Sequence, residues 1–377
     1  MSDSCIEKDY LLKILVDLLN IPSPSGYSDQ VVHYVGQELQ RLGIAFNVTR
    51  RGAIRATLPG SADSHDRAIA AHLDTLGAMV KEVLPNGRLS IVPVGTWPSR
   101  FAEGARVTVF CDSGPLRGTV LPQKASGHIF GDLVDSQPSG WEHLELRVDA
   151  GRDLSPERLK ERAAPGDFVA FDAVPEITPN GYINARHLDD KAGVAILLAV
   201  ARSIVKHQIE LPVDCHLIFT IFEEVGSGAS SAVYGDVAEM VVIDNAPVGP
   251  GQNAIENGVT IAMMDLAGPF DYHLSRKLLR LCRQHDIVYA RDVFRHYRSD
   301  SASAIEAGND TRTALAGFGV DASHGYERTH LSSLIAVARL SESFIQSKPT
   351  FDRDKDDLTS LTGFPHQPVR EIIKIRT

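Results

Sequence analysis

The sequence predicts an α/β protein in which helices sandwich a mixed sheet and a small all-β domain is inserted. Strand-like apolar segments alternate with helical patterns in the first and last parts of the chain, as in sheets covered on both faces. Between residues 80 and 182 long helical patterns are missing, and short strand-like pieces are separated by Gly, Pro, Asn and Asp. The predicted α/β domain therefore comprises residues 1–79 and 183–347, followed by a charged, peripheral tail at 348–377.

Composition and charge narrow the possible functions. The chain has 377 residues, of which 43% are hydrophobic and 23% charged, as expected for a globular protein of about two domains. A formal net charge of -10 argues against nucleic acid as a partner. The four cysteines are far apart and match neither a zinc-ribbon pattern nor a disulfide framework. No apolar run reaches about 18 residues, so we expect a cytoplasmic protein that does not bind membranes.

The first part of the chain predicts two helices and three strands. Leucine and isoleucine recur at helical spacing over residues 6–19, and a second helix is predicted from Ser28 to Leu42. The predicted strands cover residues 46–48, 54–58 and 68–72. The third is apolar and ends in the polar segment His72-Leu73-Asp74-Thr75. Open α/β sheets place their functional sites at such strand ends.

The predicted insert contains short strands and one short helix at residues 156–162. Its segment Val94-Gly95-Thr96-Trp97-Pro98 predicts a turn. Turn-forming residues separate the strand segments, which is typical of a small β-domain. The predicted strands are residues 89–94, 105–110, 118–121, 144–148 and 168–171.

Helical patterns return after the insert. Residues 192–207 are apolar almost all round, which predicts a buried helix. An apolar strand over residues 213–222 leads to Glu223 and Glu224, and a strand at 239–243 ends at Asp244. The remaining predicted strands are 259–263, 287–289 and 313–318, and the remaining predicted helices are 272–285, 301–307 and 331–345.

Acidic and histidine side chains recur at the ends of these predicted elements. They are His72 and Asp74, Asp189 and Asp190, Glu223 and Glu224, Asp244, and His324. Taken singly, each has an ordinary structural explanation, such as a helix cap or a turn. Together they suit Zn, Co or Mn, and their number suits two ions that share one carboxylate. We interpret Glu224 as a metal ligand and Glu223 as a general base.

The chain resembles the M42 aminopeptidases, also called tetrahedral or glutamyl-aminopeptidase-like enzymes. The matching segments stand in the family's order: 71–74, 185–193, 222–226, 242–244 and the segment around His324. The inserted β-domain and the segments 94–97 and 299–302 also match. The resemblance covers about residues 8 to 345 and implies a fold like that of the co-catalytic zinc exopeptidases.

The resemblance implies a ligand set for two divalent metal ions, Zn or else Co or Mn. His72 and Asp244 would bind one ion, Glu224 and His324 the other, and Asp189 would bridge both. His330, six residues beyond His324, is a competing candidate for the last ligand, because this segment is one residue shorter than in the family pattern.

The resemblance also implies the catalytic groups. Glu223 would act as general base and then as proton donor, and Asp74 would accept the second ring N–H of His72. A cis peptide bond is expected after Asp189.

The implied function is a two-metal aminopeptidase that removes N-terminal residues from peptides with a metal-bridging hydroxide and Glu223. The implied assembly is a homo-oligomer, dimers that build dodecamers, with the insert as an oligomerisation domain or lid. One alternative is a metal-dependent deacylase or amidase acting on a small acylated or amidated peptide-like molecule. Another is a non-catalytic scaffold with the same fold. The divergent segment at His324 also suggests the subgroup associated with the osmoprotectant N-acetylglutaminylglutamine amide.

Overall fold

A computed structural model describes residues 5–62, 65–149, 155–355 and 360–368. Within these residues, a nine-stranded mixed sheet flanked by helices forms the larger part of the molecule. A closed six-stranded barrel forms a smaller, separate part. Each part has its own cluster of buried apolar side chains, and the predicted fold class is therefore confirmed.

The strands in chain order are β1 (Phe46–Val48), β2 (Ile54–Leu58), β3 (Asp66–His72), β4 (Gly77–Val83), β5 (Leu89–Val94), β6 (Arg106–Cys111), β7 (Gly114–Pro122), β8 (Leu144–Val148), β9 (Phe168–Phe171), β10 (Glu176–Ile177), β11 (Tyr182–Ala185), β12 (Cys215–Thr220), β13 (Val237–Pro247), β14 (Val259–Asp265), β15 (Gly268–Pro269), β16 (Tyr289–Val293), β17 (Arg312–Val320) and β18 (Glu327–His330). The large sheet has the order β1-β2-β12-β3-β13-β17-β14-β15, and β16 pairs with β14.

The helices are α1 (Lys8–Leu19), α2 (Asp29–Arg41), α3 (Gly127–Phe130), α4 (Leu133–Ser136), α5 (Pro156–Lys160), α6 (Leu188–Lys206), α7 (Tyr272–Gln284), α8 (Asp300–Glu306) and α9 (Leu331–Gln346). As predicted from its apolar sequence, α6 is buried along most of its length. It contacts α1, α9, β3 and β13. In the described part of the chain, no helix combines the length and apolar character needed to cross a membrane.

Four neighbouring strands in the middle of the sheet determine where a site can form. β12, β3, β13 and β17 run parallel to one another, so their carboxyl ends meet at one edge. The register pairs Thr220 with His72 and Val242 with Ala70. Asp244, two residues beyond Val242, therefore lies level with His72.

The barrel contains β4 to β9. Five of its strands, β5 to β9, overlap those predicted for the insert, whereas β4 was not predicted. The short helices α3 and α4 were not predicted, because four residues are too few to show a helical period. The division of the chain into domains stays a prediction, and β4 crosses its first boundary at residue 80.

The large domain differs from the sequence prediction in several places. The short strands β10, β11 and β15 were not predicted, and β16 covers residues 289–293 instead of 287–289. β13 does not end at Asp244 but continues to Pro247, because its pairing with β17 extends to Val320. The strand β18 was not predicted, and it pairs with β11 in a small three-stranded sheet together with β10. Polar residues therefore lie inside these two strands, although the sequence pattern alone would predict that a strand ends at such residues.

The start of the predicted tail lies against the sheet. Thr350 donates a hydrogen bond from its amide to Glu239, at 3.2 Å, and Lys277 donates to the carbonyl oxygen of Lys348, at 2.7 Å. Arg312 and Asp354 form an ion pair. These contacts lie around the amino ends of β13 and β17, opposite the edge where the acidic residues gather.

Candidate active site

Asp189 lies at the centre of the candidate site, at the start of α6. Its side chain is 6% exposed, and its oxygens face two different imidazoles. Oδ1 lies 3.1 Å from Nε2 of His72, and Oδ2 lies 3.4 Å from Nε2 of His324. One carboxylate thus connects two ring nitrogens that come from β3 and from the loop before β18.

The chain leaves helical geometry at the start of α6. Asp189 and Asp190 have non-helical dihedral angles, and the peptide bond between them is cis, as expected from the family resemblance. Asp190 Oδ2 accepts a hydrogen bond of 3.0 Å from the amide of His72. Gly193 leaves room for this carboxylate, since a Cβ there would lie 2.2 Å from Asp190 Oδ1.

Glu223 and Glu224 lie on the loop after β12, and a buried carboxylate holds this loop. Asp74 accepts hydrogen bonds from the amides of Glu223, at 3.1 Å, and Glu224, at 3.4 Å. It also accepts one from the hydroxyl of Ser25. The two glutamates face different imidazoles: Glu223 Oε2 lies 3.8 Å from His72 Nε2, and Glu224 Oε2 lies 3.9 Å from His324 Nε2.

The ring of His72 is oriented by a main-chain carbonyl. Its Nδ1 lies 2.9 Å from the carbonyl oxygen of Asp74 and 3.7 Å from that residue's carboxylate. The ring N–H therefore goes to the carbonyl and not, as the family resemblance implied, to the carboxylate. Since a carbonyl only accepts, Nδ1 carries the proton, and Nε2 points its lone pair at Asp189 in the neutral ring.

His324 has the same arrangement. Its Nδ1 lies 3.2 Å from the carbonyl oxygen of Thr96, which leaves Nε2 directed towards Asp189 and Glu224. Thr96 belongs to the segment that the sequence predicted only as a turn. The other candidate, His330, contacts Ser332, the carbonyl oxygen of Asn180 and the ring of Tyr182. None of these contacts involves the site, so the geometry favours His324.

Burial and crowding strongly perturb the acids of the site. Burial, with further repulsion from Asp189, raises the pKa of Asp244 to about 8. Burial also raises the pKa of Glu223 and of Glu224 well above the usual range, although His72 opposes the shift of Glu223. Burial would raise the pKa of Asp189 too, but hydrogen bonds from His324 and His72, donated when these rings carry a second proton on Nε2, hold the pKa below its usual range.

The donor set suits divalent cations. A neutral imidazole lone pair directed at a carboxylate oxygen is repulsive unless a proton or a cation lies between them. Glu224 Oε1 is buried without a hydrogen-bond partner, and such an orphaned oxygen is costly unless a cation satisfies it. Ligand atoms of His72, Asp189 and Glu224 lie within 4.8 Å of one another. Imidazole nitrogens and carboxylate oxygens are ligands that Zn, Co and Mn accept.

An open cavity of about 530 Å³ leads to these residues. Five of the predicted site residues line this cavity. His72 is buried and does not line it. The lining includes Gly95, Thr96, Asp189, Glu223, Glu224, Asp244, Asn245, Tyr297 and His324. A peptide end can therefore reach the acids from solvent.

Three supporting residues were missed from the sequence. Glu327 is buried and accepts hydrogen bonds from the amides of Asp189, at 3.1 Å, and His324, at 2.9 Å. Asn245 donates through Nδ2 to Asp189, at 2.6 Å. Asp300 holds the loop beyond Glu224. Glu327 and Asp300 lie in segments that resemble those of the family, and this resemblance was the sequence signal that could have identified them. Asn245 directly follows Asp244, but nothing else in the sequence distinguishes it.

Comparison with known proteins agrees with the fold and identifies the family. The family model described as M42 glutamyl aminopeptidase matches residues 52–340. The Bacillus subtilis protein named "Putative aminopeptidase YhfE" is 37% identical over 337 residues, which cover 89% of this chain and 97% of that protein. The glutamyl aminopeptidase of Lactococcus lactis subsp. cremoris is 25% identical over 211 residues, covering 55% of this chain and 58% of that protein.

Solved structures show the same fold. An aminopeptidase from Desulfurococcus kamchatkensis has a TM-score of 0.80 at 22% identity, covering 90% of this chain and 95% of that one. The Pyrococcus horikoshii TET1 peptidase, whose structure is described as a tetrahedron or a large octahedral shell, has a TM-score of 0.79 at 22% identity, covering 90% of this chain and 100% of that one.

The fold and the site define a hydrolase that acts on peptide bonds. The family match over most of the chain shows that it belongs to the M42 peptidases, which confirms the resemblance seen in the motifs. M42 peptidases depend on metal ions, and the structure contains a candidate His/Asp/Glu cluster that could hold one. The comparisons do not favour the deacylase or amidase alternative. The names of these relatives do not bear on the osmoprotectant subgroup, which stays a prediction.

The loop after Glu224 depends on Asp300. This buried carboxylate accepts hydrogen bonds from the hydroxyl of Thr220, at 2.5 Å, and from the amide of Ala229, at 2.7 Å. Gly228 permits the close approach, because a Cβ there would lie 2.2 Å from Asp300 Oδ1.

We expect Asp300→Ala to cost about 1–3 kcal/mol of stability, because it leaves the buried hydroxyl of Thr220 without its acceptor. It also removes one of the two acceptors of the Ala229 amide, which donates to Ser303 as well. Peptidase activity should fall about ten-fold or more, since the loop carries two site residues whose placement is critical. Thermal unfolding and initial rates measure both effects. Asp310→Ala, at an exposed acid, is the matched control. Wild-type rates in Asp300→Ala would contradict this role.

Proposed function

We propose that the chain is a two-metal aminopeptidase that hydrolyses N-terminal residues from peptides. The observation that carries the proposal is the bridging position of Asp189, with one oxygen 3.1 Å from His72 Nε2 and the other 3.4 Å from His324 Nε2. A carboxylate shared between two imidazoles is the arrangement that a pair of ions needs.

Five residues would hold the ions. His72 and Asp244 would bind one, Glu224 and His324 the other, and Asp189 both. When bound, the ions supply Lewis-acid polarisation of the scissile carbonyl and lower the pKa of water. Glu224 and Asp244 would then keep their charge, because the cations would offset the burial and the repulsion that raise the pKa of each.

Glu223 is the residue left to move the proton. It is beside the ligands, 3.8 Å from His72, and its side chain is 13% exposed, so it can reach water in the cavity. We assign it the role of general base: a carboxylate oxygen of Glu223 takes a proton from the attacking water. It then donates this proton to the nitrogen of the leaving amine as the C–N bond breaks.

Asp74 supports this role through the main chain. Its hydrogen bonds to the amides of Glu223 and Glu224 hold both residues on one short loop. The proposed contribution of Asp74 to catalysis is therefore the placement of the base relative to His72, whose ring is oriented by the Asp74 carbonyl.

We expect the loss of the negative charge at each of the two adjacent glutamates to have a different effect on the enzyme. Glu223→Gln should retain both metal ions but lose about 10²–10⁴-fold in turnover, because the amide cannot take up a proton. Glu224→Gln should lose metal, because an amide is a weaker ligand than a carboxylate. Metal content by mass spectrometry and rates on aminoacyl-nitroanilides, with and without chelator, measure the two effects. Full activity of Glu223→Gln would remove the assigned base.

A free α-amine should be required of the substrate. We expect aminoacyl-nitroanilides and short peptides to be cleaved, and their N-acetylated counterparts to be cleaved at least 100-fold more slowly, because binding energy from the amine places the scissile bond. Rates on matched free and acetylated substrates test this. Faster hydrolysis of the acetylated series would instead support the deacylase alternative.

We propose further that the chain assembles into homo-oligomers through its insert. Assembly is suggested by two solved structures of similar fold, one described as a dodecamer and the other as a tetrahedron or a large octahedral shell. Ile129 is 75% exposed and Leu133 is 52% exposed. Large apolar side chains on short surface helices commonly mark an interface.

The expected particle has several times the mass of the 41.0-kDa subunit. A dodecamer would have twelve times the subunit mass. The double variant Ile129→Glu, Leu133→Glu should shift it towards smaller species in light scattering. Val205→Glu, which changes an apolar side chain that is 40% exposed on α6, serves as the control. A monomeric wild-type protein, or assembly unaffected by the double variant, would count against the insert as the interface.

A further inference from the structure

Tyr297 lies at the edge of the active-site cavity, between β16 and α8. Its carbonyl oxygen accepts a hydrogen bond of 2.9 Å from the amide of Leu266. Its ring packs against Phe294, with ring centroids 5.2 Å apart. The main chain and the ring are therefore held in place, so the direction of the hydroxyl is fixed by the fold.

The hydroxyl of Tyr297 is buried and makes no hydrogen bond of normal geometry. It lies within hydrogen-bonding reach of the Asp244 carboxylate. A buried hydroxyl without a partner costs about 1–3 kcal/mol, and phenylalanine would fill the same space without this cost. The hydroxyl is thus explained by a function that uses it and not by packing of the ring.

The surroundings of Asp244 indicate what that function is. Asp244 Oδ1 accepts hydrogen bonds from Asn245, at 2.6 Å from the amide and 3.3 Å from the side chain. The Tyr297 hydroxyl supplies one more donor beside the same carboxylate. Because the hydroxyl oxygen has almost no exposed surface, a contact with Asp244 fits the geometry better than a contact with substrate in the open cavity.

We propose that Tyr297 is a positioning residue that donates a hydrogen bond to Asp244 and so fixes the orientation in which Asp244 binds its metal ion. The proposal rests on the proposed two-metal function. Donors of this kind restrict a ligand to the geometry that the ion needs. Tyr297 would then act on the ion held by His72 and Asp244 and not on the one held by Glu224 and His324.

Titration of the metal-free protein with Zn²⁺ or Co²⁺, followed by calorimetry and by the visible spectrum of Co²⁺, tests this role. In Tyr297→Phe one of the two binding steps should weaken about 10- to 100-fold, while the other stays as in the wild type. With metal in excess, kcat should recover in large part and KM should be unchanged. Tyr272→Phe, on the exposed start of α7, is the control and should behave as the wild type.

Several outcomes would overturn the proposal. Two unchanged binding steps would show that Asp244 does not need the hydroxyl, and a lower kcat with unchanged metal binding would place it on the substrate. Equal weakening of both steps would indicate general loosening of the site. Should Tyr297→Phe fold poorly, a second test compares Asp244→Asn with the double variant Asp244→Asn, Tyr297→Phe. The two should bind the ions with equal affinity, and a further loss in the double variant would count against the proposal. A wild-type protein that binds fewer than two ions would refute the proposed function itself, independently of Tyr297.

Discussion

The candidate site depends on one electrostatic constraint, the crowding of buried carboxylates at a single edge of the sheet. Asp189, Glu224 and Asp244 are almost completely shielded from water, and each is close to another acid. Several buried anions are tolerable only if protons or cations offset their charge. Two imidazoles with their Nε2 atoms aimed at these oxygens are too few to do so, which favours metal ions as the balancing charge.

Other carboxylates are used to hold the main chain. Asp74 accepts from the amides of Glu223 and Glu224, and Glu327 accepts from those of Asp189 and His324. Each of these acids therefore fixes two site residues at once. Asp74 is 149 residues from Glu223, and Glu327 is 138 residues from Asp189. A charged acceptor makes the stronger kind of hydrogen bond, so the loops are held without regular secondary structure.

Much of this site could be predicted from the sequence, but the residues that hold the site residues in place could not. His72 and the Glu223 loop could be found because an apolar strand leads directly into polar residues. Asp244 was also identified, although it lies inside β13 and not at its end. Recognising it did not require knowing which strands pair with β13. Glu327 and the carbonyl of Thr96 could not be assigned a role. Glu327 contacts Asp189 across 138 residues, and Thr96 contacts His324 across 228 residues. Such contacts follow from tertiary packing and leave no local pattern.

The inequality of the two adjacent glutamates follows from the same geometry. Both amides bind one carboxylate, yet their side chains diverge, and each lies nearer to a different imidazole. Glu224 is 5% exposed and has an orphaned oxygen, so a cation is the partner that satisfies it. Glu223 is 13% exposed and has access to water in the cavity. In the proposed mechanism, burial therefore divides a pair of identical residues into a ligand and a base, a distinction that depends on their surroundings and not on their chemistry.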